Sequence, residues 1–197
     1  MRIRLTVGVI AIGFVVVLAG CGPSTNAPPE PAESSSSEAA SPIPLVKNPR
    51  DVAAMAQRPC ELLTSLQATG FGLDVPPRQR EGLLGTQACV WTSTTRERQT
   101  YRTVDLSMFT NNPTLEVGYE QDRTRPSFEL IEIAGYPALV SRPLADQPIC
   151  DIDAKPAERQ SVSVTYESKE LRNSPQQACV VGKQVMEAVL MNLPPKS

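Results

Sequence analysis

The middle of the chain alternates apolar and polar residues in short runs, which is the pattern of strands with one buried face. Val104, Leu106 and Met108, for example, fall at alternate positions. The predicted strands are 86–95, 101–109, 128–133, 136–141, 149–152 and 161–166. The residues that precede position 86 include Pro76 and Pro77 and are predicted to form a loop.

Helical patterns lie near both ends of this region. Pro59 suits the first turn of a helix, Thr64 can cap a second short turn, and Gly70 ends it. From Pro175 to Leu193 the apolar residues recur at helical spacing, and Ser174 is predicted to be the N-cap. These apolar residues are Ala178, Val181, Val185, Val189 and Leu193.

Together these patterns predict an α+β domain. It consists of a twisted antiparallel sheet of about five or six strands, with an N-terminal and a C-terminal helix packed on one face. A further short helix is expected over 114–121, after Pro113. Trp91 lies on a predicted strand two residues from a cysteine, and we expect it to fill the core rather than to line a ligand pocket.

The N-terminus has the features of an export signal. Arg2 and Arg4 precede an apolar run from Leu5 to Ala19, and at about 15 residues this run is short for a membrane span. The sequence Leu-Ala-Gly-Cys at 18–21 resembles a bacterial lipobox, in which small residues precede a cysteine that receives a lipid. We therefore expect residues 1–20 to be a lipoprotein signal peptide and Cys21 to carry acyl chains. An ordinary secretory signal with a chance cysteine is the alternative.

Residues 21–49 are rich in Pro and Ser and contain little that could be buried, so they are predicted to be a disordered tether. Residues 50–197 are long enough for one domain. Without residues 1–20 the chain has 17 basic and 21 acidic residues, a net charge of −4. This balance argues against nucleic acid as a partner. The densest basic patch, 96–102, is expected to be a solvated hairpin tip.

The cysteine count agrees with export to an oxidising compartment. Of five cysteines, Cys21 is assigned to lipid, and the other four can pair. We favour Cys60 with Cys89 and Cys150 with Cys179, because each bridge would then fasten a helix to the sheet. The mixed pairing of Cys60 with Cys150 and Cys89 with Cys179 would also join helix to strand and stays open.

Catalysis has little support in the residues. The chain contains no histidine, which excludes a nucleophile activated by imidazole. Two carboxylate pairs, Glu129 with Glu132 and Asp151 with Asp153, could serve as acid and base or hold a cation. Solvated strand edges are the simpler interpretation. The cysteines lack zinc-site spacing, and no calcium-loop motif occurs. We predict no catalytic residues, no metal and no cofactor.

Several residues resemble a known family. Pro59-Cys60, Cys89-x-Trp91, the Gly-Tyr-Pro-Ala sequence at 135–138, Cys150 and the Ala178-Cys179 helix look like the actinobacterial lipoproteins grouped as domain of unknown function 3558, which include LprB and LprC. The resemblance covers about residues 50–195. It implies an exported, lipid-anchored, disulfide-bonded α+β domain without an established enzymatic activity.

The expected function is that of a non-catalytic binding or accessory module on the extracytoplasmic face of the cell membrane. The lipid on Cys21 would attach it to the membrane, and its partner would be an envelope protein or a small hydrophobic ligand. Two alternatives stay open: a carboxylate-dependent envelope hydrolase, which needs a pocket with two converging carboxylates, and a carrier of a small hydrophobic ligand, which needs a closed apolar cavity.

Overall fold

The computed structural model describes residues 41–82, 85–94, 102–112, 114–125 and 127–197. Within these ranges the chain forms a seven-stranded antiparallel sheet with the order β1-β2-β3-β7-β6-β5-β4. The strands are β1 (Val75–Glu81), β2 (Gln87–Thr92), β3 (Arg102–Phe109), β4 (Glu129–Ile133), β5 (Tyr136–Ser141), β6 (Ile149–Ala157) and β7 (Gln160–Ser168). The predicted α+β class with an antiparallel sheet is confirmed.

The helices are α1 (Ser65–Gly70), α2 (Thr114–Asp122) and α3 (Gln177–Asn192), with 3-10 helices at Ala53–Met55, Pro59–Leu62 and Lys169–Leu171. Thr64 caps α1 as predicted, since its hydroxyl accepts a hydrogen bond from the Gln67 N–H, and Gln67 Oε1 accepts one from the Thr64 N–H. The predicted N-cap at Ser174 is wrong. A turn intervenes, and Gln176 precedes α3 without a side-chain cap.

The segment expected to be a loop before position 86 contains β1, so the described sheet has seven strands rather than five or six. Because of Pro76 and Pro77, this segment was predicted to be a loop rather than a strand. A proline lacks the N–H that a central strand needs, but an edge strand can accommodate it. β1 is an edge strand, and its pairing with β2 is irregular between Val75 and Arg78, where the prolines lie.

The main core lies between one face of the sheet and the helices. Alternate residues of β2, β3, β7, β6 and β5 point to this face, as the strand register requires. Gly182 of α3 allows close approach to the sheet, because a Cβ at this position would lie 2.9 Å from the Ile152 side chain. Trp91 is 1% exposed and belongs to this core, as predicted.

The two disulfides follow the favoured pairing. Cys60 of a 3-10 helix is bonded to Cys89 of β2. Cys150 of β6 is bonded to Cys179 of α3. Each bond therefore joins a helix to the sheet, and the mixed pairing is not formed.

The opposite face of the sheet carries α2. Leu115 of this helix packs with Ile43 and with Leu139 of β5 in a second, smaller hydrophobic cluster. Ile43 belongs to the predicted tether, so residues just before position 50 contact the folded domain. The two ends of the domain also meet, since Arg50 forms a bridge with Pro195 and donates from Nη1 to the Leu193 carbonyl at 2.9 Å.

Candidate functional site

Asp151 and Asp153 of β6 both point to the face that carries α2. The Thr165 hydroxyl of the neighbouring strand donates to Asp151 Oδ1 at 2.6 Å. Burial raises the pKa of Asp153 to about 6, against a lowering effect of a hydrogen bond from Ser163. The negative charges of Asp151 and Asp122 raise the pKa of Asp153 further. The structure thus brings this predicted pair together on one face.

Burial also raises the pKa of Asp151, although its hydrogen bond from Thr165 acts in the opposite direction. Asp122, at the end of α2, adds a raising effect on this pKa and forms an ion pair with Arg125 at 3.1 Å. Perturbed carboxylates of this kind are a feature of catalytic sites and also of purely structural polar clusters. Neither Asp151 nor Asp153 lines the groove beside β4.

Glu129 and Glu132, the other predicted pair, are not brought together. They are three positions apart on β4, so their side chains point to opposite faces of the sheet. Glu129 forms an ion pair with Lys183 of α3 at 3.2 Å. Glu132 faces away from α3 and lines a groove. No acid and base pair arises from these two residues.

Lys155 is a charged residue whose importance the sequence analysis did not recognise. It is 5% exposed, and its ammonium lies 2.8 Å from Glu116 of α2 and 2.9 Å from Glu158. Burial alone would lower the pKa of Lys155, but the hydrogen bonds and charges of the two glutamates outweigh it, and the pKa is raised. The residue therefore fastens α2 to the sheet as a paired cation.

A groove of about 560 Å3 lies beside β4. One wall is the segment that leads into the domain, and the other is β4 with the following turn. The lining residues are Pro44, Leu45, Lys47, Asn48, Leu130, Ile131, Glu132, Gly135 and Pro137. Leu45 is 81% exposed. Apolar side chains with a few polar groups, in a volume of this size, are typical of ligand sites.

The wall formed by residues 44–48 is held in place at both ends. Ile43 is 4% exposed in the small cluster under α2. The Tyr136 hydroxyl donates to the Asn48 carbonyl at 2.8 Å and accepts from Arg50 Nε at 3.1 Å. The groove is therefore part of the folded domain, although the sequence analysis placed this segment in the tether. The apolar residues Ile43, Leu45 and Val46, rare in that tether, were the signal for it.

Two smaller cavities lie away from this groove. One of about 310 Å3 reaches Trp91 between α1 and β1, beside the Cys60–Cys89 disulfide. Another of about 410 Å3 has Asp146 and Glu167 in its lining, together with Lys169 and Arg172. Because basic and acidic residues both line the second cavity, it does not present two carboxylates alone.

Other candidate features can be placed only in part. Cys21 and positions 96–101 of the basic patch lie outside the described residues. Arg102, the last residue of that patch, begins β3 and forms an ion pair with Glu170. In the described ranges, no three His, Cys, Asp or Glu side chains are grouped as metal ligands would be. No helix in those ranges has the length and hydrophobicity needed to cross a membrane.

The family of the protein follows from a comparison with family models. The model described as a protein of unknown function (DUF3558) matches residues 16–192. The chain belongs to this family. This match confirms the resemblance drawn from the cysteine frame and the motifs around it, at the level of the family. No curated protein and no solved structure matches the chain. Because membership in DUF3558 assigns no activity, function has to be argued from the site itself.

Proposed function

We propose that this DUF3558 protein is a lipid-anchored extracytoplasmic lipoprotein that acts as a non-catalytic binding module at the bacterial cell envelope. The observation that carries the proposal is the groove between residues 44–48 and β4. It lies where the chain enters the domain, which is the end attached to the predicted tether and its lipid on Cys21.

The N-terminal sequence supports the location in this proposal. The small residues before Cys21 fit a lipoprotein signal, and two or more acyl chains anchor a protein stably. The two disulfides support export as well, because such bonds persist in oxidising compartments. A Cys21→Ala variant is expected to leave the membrane fraction. Fractionation of cells that express the full chain tests this, and a variant that stays membrane-bound would contradict the anchor.

The composition of the groove supports binding rather than chemistry. Leu45, Leu130 and Ile131 supply apolar surface, and the groove is accessible because Leu45 and Glu132 are exposed. Glu132 is the one carboxylate among its lining residues. A single carboxylate without a base or nucleophile beside it suits recognition better than acid and base catalysis.

Photo-crosslinking in intact envelopes tests the groove as a binding site. A photoreactive amino acid replaces Leu45 in the full chain, and the matched control carries it at Leu66 of α1, which is 85% exposed. We expect a specific product from position 45 that position 66 does not give and that Glu132→Lys reduces. Identical products from positions 45 and 66 would refute the groove as the binding site.

A carboxylate-dependent hydrolase is the second candidate, and Asp153 favours it. Its pKa of about 6 would let the carboxyl hold a proton under mildly acidic conditions and donate it, with Asp151 on the same face of β6. This candidate predicts hydrolysis of envelope material that is lost in both Asp153→Asn and Asp151→Asn. Activity that survives both substitutions would exclude the pair.

A carrier of a small hydrophobic ligand is the third candidate. The volume of the groove favours it, whereas the exposed wall at Leu45 does not give the closed cavity that a carrier needs. Native mass spectrometry of the lipidated full chain would detect a ligand that copurifies with it. A bound ligand that is released by Leu130→Asp, and not by Leu66→Asp, would favour this candidate over a protein partner.

A further inference from the structure

The hydrogen-bonding pattern of β4 can be read from the turn that follows it. Ala134 and Gly135 have φ values of +51° and +85°, as in the two-residue turn of a tight hairpin. Ile133 and Tyr136 flank this turn and are paired, so they exchange the first hydrogen bonds of the ladder. Bonded and non-bonded pairs alternate in an antiparallel ladder. The N–H and C=O groups of Glu132 and Leu130 therefore point away from β5, to the edge of the sheet.

This edge has no neighbouring strand in the described residues, since β4 is the last strand of the sheet order. Leu130, Ile131 and Glu132 form one side of the 560 Å3 groove, so the outward backbone groups face the space between β4 and residues 44–48. A row of free backbone groups two residues apart is a template for an added strand. Four residues of such a strand would extend about 13 Å.

The opposite edge of the sheet is less suited to pairing. β1 carries Pro76 and Pro77, which have no N–H to donate, and its register is irregular in that region. β4 has neither proline nor irregular pairing.

Side chains along β4 define what the added strand should carry. Leu130 and Glu132 are two positions apart and point to the same face. Glu132 is exposed and forms no ion pair among the described residues, unlike Glu129 of the same strand. An apolar residue opposite Leu130 and a basic residue opposite Glu132 would complement this pattern. Lys47 on the other wall disfavours additional basic residues.

We propose that the free edge of β4 binds an extended segment of a partner protein by strand addition, and that this segment carries one apolar and one basic residue two positions apart. The proposal rests on the groove as the binding site and specifies its ligand. A second copy of the chain fits less well, because antiparallel pairing of two β4 strands would place two Glu132 carboxylates on the same face of the sheet.

Binding of synthetic peptides to the lipidated full chain in nanodiscs tests this pairing. The probe is a fluorescent seven-residue peptide of threonine with valine at the third and lysine at the fifth position, followed by anisotropy. Two matched peptides carry N-methyl groups. In the first peptide they are on valine and lysine, and in the second they are on the threonines between and beside these residues. Strand addition requires that one set weakens binding about tenfold and the other does not, because only alternate N–H groups reach β4. The set of methyl groups that weakens binding shows whether the added strand runs parallel or antiparallel to β4.

A charge exchange tests the predicted specificity. Replacement of the lysine of the peptide by glutamate is expected to weaken binding about threefold, and Glu132→Lys should reverse this preference. Glu81→Lys on β1 is the control and should leave the preference unchanged. Equal effects of both N-methylated sets would overturn strand addition. Dimers that form through β4, or displacement of the peptide by phospholipid alone, would overturn the choice of partner.

The two proposals fail in different ways. If no peptide binds while the crosslinker at Leu45 still gives its Glu132-dependent product, strand addition is wrong and the binding groove stands. If the crosslinkers at Leu45 and Leu66 give the same products, the proposed function fails whatever the peptides do.

Discussion

Replacement of Asp153 by asparagine should stabilise the protein at alkaline pH and leave its stability unchanged under acidic conditions. The carboxyl of Asp153 lies between β6 and the end of α2, near Asp151 and Asp122, and burial raises its pKa to about 6 from 3.8. The folded protein therefore binds this proton more tightly than the unfolded chain does. Stability from this group is fully present below about pH 4 and is lost as the pH rises through 6. Asparagine keeps the shape and can still accept the hydrogen bond from Ser163.

The size of the effect follows from the two pKa values. The difference between about 6 and 3.8, at about 1.4 kcal/mol per pKa unit, corresponds to about 3 kcal/mol. The side chain keeps some exposure to solvent, so this is an upper value. We expect the free energy of unfolding of Asp153→Asn to exceed that of the wild type by up to this amount at pH 8, and to equal it at pH 4.

Urea unfolding of the oxidised protein at a series of pH values measures this difference. The control is Asp146→Asn in an exposed loop, which should follow the wild type at every pH. A gain in stability for Asp153→Asn that is the same at pH 4 and pH 8 would show that the charge of the carboxylate is not the cause. A loss of stability at pH 8 would refute the reasoning about burial.

Three further predictions concern packing, ion pairing and a turn. Gly182→Ala should lower the free energy of unfolding by about 1 kcal/mol, because the added Cβ would meet the sheet. Gly70→Ala is the control and should not lower it, because the space around Gly70 is open. Equal urea midpoints for the two variants would contradict this. Lys155→Ala should lower the free energy of unfolding by about 2 kcal/mol, because it leaves two glutamates without their cation. Lys183→Ala, which removes an exposed ion pair, should lower it by less than about 1 kcal/mol. A larger loss for Lys183→Ala in chemical denaturation would show that burial does not set the strength of these ion pairs. Ala134→Gly should raise the melting temperature, with a gain of about 0.5 to 1 kcal/mol, because φ is +51°; a lower melting temperature would refute the assigned strain.

The family match and the proposed binding site overlap along the chain, because residues 16–192 include residues 44–48 and β4. The match to DUF3558 covers the cysteine frame and the sheet, which are properties of the fold. The groove depends on residues 44–48 and on β4. A variant that weakens binding without changing stability, such as Glu132→Lys, can therefore separate the role of the groove from the requirements of the fold.

The sequence by itself determined the features that arise from neighbouring residues. Alternation along β3 and β7 identified their buried faces, because side-chain direction in a strand depends on position parity. The spacing of apolar residues in α3 identified the helix in the same way, and Thr64 identified the start of α1 through a local hydrogen bond. Packing of helices on a sheet favoured the correct disulfides, but that choice needed an assumed arrangement of elements and left the mixed pairing open.

Only the tertiary structure decided the features that depend on distant residues. It showed that β1 is an edge strand able to contain prolines, that Glu129 and Glu132 are separated by the sheet, and that Asp153 lies under α2. The groove likewise joins residues 44–48 to β4, more than 80 positions further along the chain. The contacts between distant segments decide which residues are buried and which strands lie at an edge. These contacts are set by the packing of the whole domain rather than by local sequence.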